Sequence, residues 1–162
     1  MTDKTNFTPD EWKLILQSPM MAGIAVSAAE PSGLWGLLKE SMAAGGALAG
    51  AATDSNANSL VKAVASDFMG ADGSAARDGV KAKMTGGQSA DIKVRSIETL
   101  RQVSELLDAK APGDAAAFKG WLRQISEHTA DAAAEGGTFG FGGVQVSAAE
   151  KATLAEISNL LR

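Results

Sequence analysis

The chain has 162 residues, 45% of them hydrophobic, with no cysteine and a formal net charge of −4 at pH 7. That length suits one domain, which buries roughly 70% of its unfolded surface without covalent staples. The missing cysteines exclude disulfides, thiol catalysis and thiolate metal sites. A mild acidic balance argues against a nucleic-acid surface, which would carry clustered Lys and Arg.

The first element announces itself in Phe7-Thr8-Pro9-Asp10-Glu11-Trp12. Thr8 is placed to cap a helix, Pro9 suits its first position, and Glu11 can reach back to complete a capping box. Phe7 and Trp12 have the spacing of a hydrophobic staple. The segment before it, residues 1–7, reads as an N-terminal tail. It lacks the apolar run of a signal peptide. The helix is expected from Pro9 to about Gln17, with Trp12, Ile15 and Leu16 on one face. Ser18-Pro19 is then expected to kink it or to cap a second helix, because Pro brings no N–H. Met20 to Ala29 is apolar nearly all round and is expected at the centre of the fold. The longest charge-free run, Leu14 to Ala29, is too short and too interrupted for a membrane span of about 20 residues. A cytoplasmic location is the resulting expectation.

Pro31 restarts the chain, with Leu34, Trp35, Leu37, Leu38 and Met42 as an apolar face. Met20, Met21, Met42 and Trp35 together read as core filling, or alternatively as an adaptable binding surface. Gly45, Gly46 and Gly50 weaken the end of this helix, at about 1 kcal/mol each relative to Ala. The small residues around them would permit a self-association face, or equally mark a frayed end. Thr53 to Asn56 reads as a loop, and Leu60, Val61, Val64 and Phe68 mark a short helix. Gly70 to Gly73 is expected to break it. Ser74 to Met84 is helix-compatible with little to bury, and Gly86-Gly87 ends it.

Ser89 is expected to cap the best-defined long helix, through about Lys110, with Ile92, Ile97, Leu100, Val103 and Leu107 buried. Asp91–Arg95 and Arg101–Glu105 have the four-residue spacing of surface ion pairs. Pro112 opens another helix with Phe118, Trp121, Leu122 and Ile125 inward, stopped by Gly136-Gly137. Ser147 and Glu150 form a second capping box, before a last helix carrying Leu154, Ile157, Leu160 and Leu161. No strand pattern survives the glycines between Phe139 and Val146. The expected fold is therefore all-α: a single-domain bundle of about six to eight helices over residues 1–162, with a Gly-rich loop before the last helix.

Two places invite a chemical reading. The loop at residues 136–143 offers Gly140, Gly142 and Gly143, whose N–H groups would approach an anion ahead of a helix start. It lacks the Gly-Lys-Ser/Thr ending of a phosphate loop, and it reads equally as a tight connection plugged by Phe139 and Phe141. His128, the only histidine, stands three residues after Ile125, on or beside the buried stripe, with Glu127, Asp131 and Glu135 nearby. It would serve as base or ligand, or simply as a boundary residue. No Glu-x-x-His pair is present, so a carboxylate di-metal centre is not expected, and no metal ligand set is assigned. No nucleophile–base pair can be proposed either, and no cofactor is expected.

The pieces Phe7–Trp12, Pro31–Glu40, Ala117–Leu122 and Gly140–Ser147 resemble a family of small all-helical bacterial proteins of uncharacterised function. The resemblance implies an all-helical fold and carries no activity. The ending Val-Ser-x-x-Glu with Leu154, Ile157 and Leu160 is similar, at the C-terminal end only, to tellurite-resistance TerB-like domains. Where those domains are expected to carry aspartates, this chain has glycines and phenylalanines, so no metal site is carried over. The expectation is a non-catalytic cytoplasmic protein that binds a protein partner or forms a homo-oligomer, with no nucleic acid and no membrane span. The alternative is a small-molecule or metal-binding stress-related protein using the 136–143 loop.

Overall fold

The computed structural model describes residues 2–29, 45–46, 48–135 and 146–162, with the backbone alone for 133–135. A 3-10 turn at Lys4–Asn6 leads into α1 (Pro9–Ser27); α2 (Ser59–Met69), α3 (Ala71–Met84), α4 (Ser89–Lys110), α5 (Pro112–Glu135) and α6 (Ala148–Leu160) follow. Residues 48–53 add a short helical stretch, and no strand occurs among the described residues. The all-α bundle is what the structure shows. The apolar segment around Leu34 and Met42 lies outside the described residues, as do Trp35, Gly140, Gly142 and Gly143.

Helix α1 is the axis of the bundle, in contact with each of the other five. It does not stop at Ser18-Pro19, contrary to the sequence expectation. Pro19 cannot donate to the Ile15 carbonyl one turn back, but the Ser18 hydroxyl does so at 2.7 Å. The carbonyl that a proline orphans is thus satisfied inside the core, and the helix runs on to Ser27. Ile15, Leu16, Met21, Ala22, Ala25 and Val26 are buried along it. Small side chains let α5 approach. A Cβ at Gly23 would stand 3.2 Å from Thr129 Oγ1, and the Ser126 hydroxyl donates across the interface to the Ala22 carbonyl at 3.1 Å.

Both capping boxes form. Thr8 Oγ1 accepts from the Glu11 N–H at 3.3 Å while Glu11 accepts from the Thr8 N–H at 2.7 Å. Ser147 and Glu150 repeat the exchange at 3.1 and 2.8 Å. Two other boundaries differ from expectation. The break before α3 is Gly70 alone, and α3 begins at Ala71. Gly73 lies within α3 as its close-packed point: a Cβ there would collide with the Phe68 carbonyl. Helix α4 is capped from Gln88 rather than Ser89, with the Asp91 carboxylate accepting from the Gln88 N–H at 3.2 Å.

That use of Asp91 removes it from the expected Arg95 pair, and Arg95 instead donates to the Lys83 carbonyl at 2.9 Å. Arg101 pairs with Glu98 at 3.1 Å rather than with Glu105. The α4 stripe is buried as read, joined by Ser96, Thr99 and Ser104. Their hydroxyls stay satisfied by bonding carbonyls, Ser96 to Ile92 and Thr99 to Arg95 in their own helix, and Ser104 to Leu160 of α6. Trp121 is half-buried and meets Phe118 edge-on, with ring centroids 5.4 Å apart.

Candidate functional site

The N-terminal residues are held on the body by polar bonds. Asp3 caps the 3-10 turn, accepting from the Thr5 N–H at 2.8 Å. Lys4 reaches α3 through Asp72 at 2.9 Å. The Thr2 N–H donates to Asp114 of α5 at 3.3 Å, and the Asn58 side chain, which caps α2, donates to the same carboxylate at 2.7 Å. Hydrogen bonds from Thr2, then Asn58, hold the Asp114 carboxyl below the usual aspartate range. Glu11 pairs with Lys110 of α4 at 2.7 Å. That bond, then the one from the Thr8 backbone, holds Glu11 below the usual glutamate range.

This anchoring leaves a cleft of about 500 Å³ between the N-terminal turn, the start of α1 and α3. Phe7, Pro9, Trp12, Leu16 and Ala75 line it, with Lys4, Asp10, Lys13 and Asp72 around them. The predicted staple builds its wall: the Phe7 and Trp12 rings stack with centroids 5.8 Å apart. The Trp12 indole N–H donates to Asp67 at 3.1 Å, so the ring is fixed at both ends. The size and apolar lining fit a recognition site. Nothing here supplies a nucleophile paired with a base.

His128 is exposed, beside the buried stripe rather than on it. Thr129, four residues after Ile125, is the side chain that turns into the core. His128 instead lines a second cleft of about 430 Å³, with Asp54, Asn58, Trp121 and Gln124 among its neighbours. A third, of about 440 Å³, lies between Ala28, Ala29, Gln88, Lys93, Ala149 and Thr153. No group of three or more His, Asp or Glu side chains among the described residues could hold a metal ion. Gly140, Gly142 and Gly143, the other candidates from sequence, lie outside the described residues.

Sequence reasoning missed the most buried cation among the described residues. Lys119, on the Ala117–Leu122 piece of α5, is only 3% exposed. Its amine donates to both oxygens of Asp108 at 2.7 Å and to the Arg162 carbonyl at 3.2 Å. It fastens α5 to the end of α4 and to the C-terminal residue. The signal available was an acid and a base facing each other across the Ala111-Pro112 junction, and it carries little weight without the fold.

Among the described residues no helix is long and apolar enough to cross a membrane. The chain matches no protein-family model, no curated protein and no solved structure.

Proposed function

We propose that this chain is a non-catalytic interaction domain, cytoplasmic and of the small bacterial family it resembles, that binds a protein partner or a second copy of itself through the N-terminal cleft. One observation carries the reading: a cleft of about 500 Å³ lined by Phe7, Pro9, Trp12, Leu16 and Ala75, its wall fixed by the stacked Phe7–Trp12 pair. Four carboxylates near it are committed to structure. Asp67 accepts from Trp12, Asp72 from Lys4, Glu11 from Thr8 and Lys110, and Asp114 from Thr2 and Asn58. Aromatic side chains held rigid by packing make good anchors for a partner.

Ala75 is exposed in the cleft, so Ala75→Glu charges the site without touching the core. Light scattering of both proteins at rising concentration, with recovery of bound protein from a native lysate, tests the reading. An oligomer or a bound partner present with the wild type and lost with Ala75→Glu supports it. A monomer that retains nothing, or binding that Ala75→Glu leaves intact, contradicts it.

A second reading, a small-molecule or metal-binding protein, draws support from His128 and Asp54 lining one cleft. Thermal shift against anions and divalent metals tests it, with His128→Ala expected to abolish any shift. A shift that survives His128→Ala, or none at all, removes it.

A further inference from the structure

Helix α3 turns little apolar surface inward. Of its 14 residues, Gly73, Ala76 and Val80 are the buried ones, so Val80 is its only buried side chain larger than a methyl group. The neighbouring α2 turns in Leu60, Val61, Val64 and Phe68, and α4 turns in Ile92, Ile97, Leu100, Val103 and Leu107. The local signals for α3 are weak as well. Gly70 gives its N-terminus no side-chain cap. Gly73 and Gly79 lie within it, and glycine is the poorest helix former after proline. Close packing requires both: a Cβ at Gly73 would collide with the Phe68 carbonyl, and one at Gly79 with the Gln17 amide. Beyond the C-terminal end, Gly86 takes a φ of 78°, so glycines flank the helix on both sides.

What holds α3 down is mostly polar. Lys4 meets Asp72 at 2.9 Å on the surface. Arg77 donates to the Phe68 carbonyl at 2.8 Å and lies over the Phe68 ring, 5.4 Å from its centroid. Lys83 Nζ donates to Gln17 Oε1 at 2.8 Å and to Thr99 Oγ1 at 3.0 Å, and Arg95 of α4 donates to the Lys83 carbonyl at 2.9 Å. Water can replace such bonds at small net cost. The apolar burial that water cannot replace is what α3 lacks.

We propose that α3 is a detachable wall of the N-terminal cleft, unfolding locally between Gly70 and Gly86 while the other helices stay packed. Regions with few buried apolar contacts open first and independently of the core. Helix α1 keeps its packing on α2, α4, α5 and α6 when α3 leaves. Opening takes Asp72 and Ala75 away from the cleft and uncovers Gln17 of α1 and the Phe68 ring of α2. The groove along α1 is thereby lengthened, and a partner that fills the longer groove draws the population toward the opened state. That use of the opening rests on the function proposed above; the opening itself does not.

Native-state hydrogen exchange of the intact protein in low urea, read by mass spectrometry, tests the opening. Peptides from α3 are expected to exchange about tenfold or more faster than the core of α4, with a weaker dependence on urea because less surface is exposed. Ser147→Ala separates local from global opening, since it removes the cap of α6 while α3 packs chiefly on α1 and α2. It should speed exchange in the core of α4 severalfold and leave α3 unchanged. Exchange in α3 as slow as in α4, or equal acceleration of both by Ser147→Ala, overturns the proposal. Neither readout needs a partner, so failure of the cleft as a binding site is distinguishable from failure of the opening.

Discussion

The N-terminal and C-terminal ends of the bundle solve the same problem in opposite ways. At the C-terminal junction a lysine is taken out of water, met by a carboxylate, and the space around it is closed. Lys119 has 4% of its side chain exposed, Asp108 has 59%, and the last carbonyl of the chain completes the shell. At the N-terminus the charges stay at the rim. Lys4 is 57% and Asp72 49% exposed, and both border the cleft. The first arrangement spends its chemistry on fastening the fold. The second fastens the frame of a cleft, which suits recognition rather than stability.

The sharpest way to break this contrast is to remove the wall. Trp12→Ala should lower stability by about 3–5 kcal/mol, the usual cost of truncating a buried aromatic, and should abolish binding with it. Equilibrium urea unfolding measures the stability change, and a loss below 1 kcal/mol would show that the wall is not part of the core. Asp108→Ala comes next. It strands the Lys119 amine with one carbonyl acceptor, and should cost about 1–2 kcal/mol after allowance for the exposure of Asp108. It should leave binding at the N-terminal cleft unaltered.

How much of this was legible in the sequence follows from range. Thr8, Glu11, Ser147 and Glu150 act within four residues of one another, so both caps could be read directly. Ser18-Pro19 was misread because the rule for proline counts the lost N–H and overlooks the hydroxyl beside it that repays the Ile15 carbonyl. His128 was read as on or beside the stripe, because the pattern alone does not show that Thr129, one residue on, is the side chain that turns inward. The Phe7–Trp12 wall could be anticipated, but Ala75 and Asp72 come from α3, and no periodicity announces that α3 would stand there. Lys83 was invisible for the same reason: its acceptors lie on two other helices, 66 and 16 residues away in sequence.

The caps sharpen the comparison at smaller scale. Thr8→Ala and Ser147→Ala should each cost about 1 kcal/mol, but only Thr8→Ala, which loosens the entry to the cleft, should weaken binding. Equal loss of binding from both would erase the distinction between the two ends.

Acid should separate the ends as well. The Asp114 and Glu11 carboxyls are held below their ordinary values of 3.8 and 4.5. Their stabilising contribution is therefore fully present above those values and is lost as pH falls through the lower folded ones. Hydrogen exchange on acidification below about pH 4 should show Thr2 to Thr8 releasing before the core of α4 does. Simultaneous release would contradict the role given to these carboxylates. The smallest effect on unfolding midpoint is expected from Lys4→Ala, because its pair with Asp72 is solvent-exposed.

The central claim is that contact with another chain runs through the N-terminal cleft, and crosslinking in cells tests it most directly. Lys4 and Lys13 stand in the lining as native crosslinkable amines, whereas Lys62, Lys81 and Lys151 lie elsewhere. The account predicts intermolecular crosslinks concentrated at Lys4 and Lys13 and lost in Ala75→Glu. Crosslinks spread evenly over the five lysines, or confined within one chain, would contradict it.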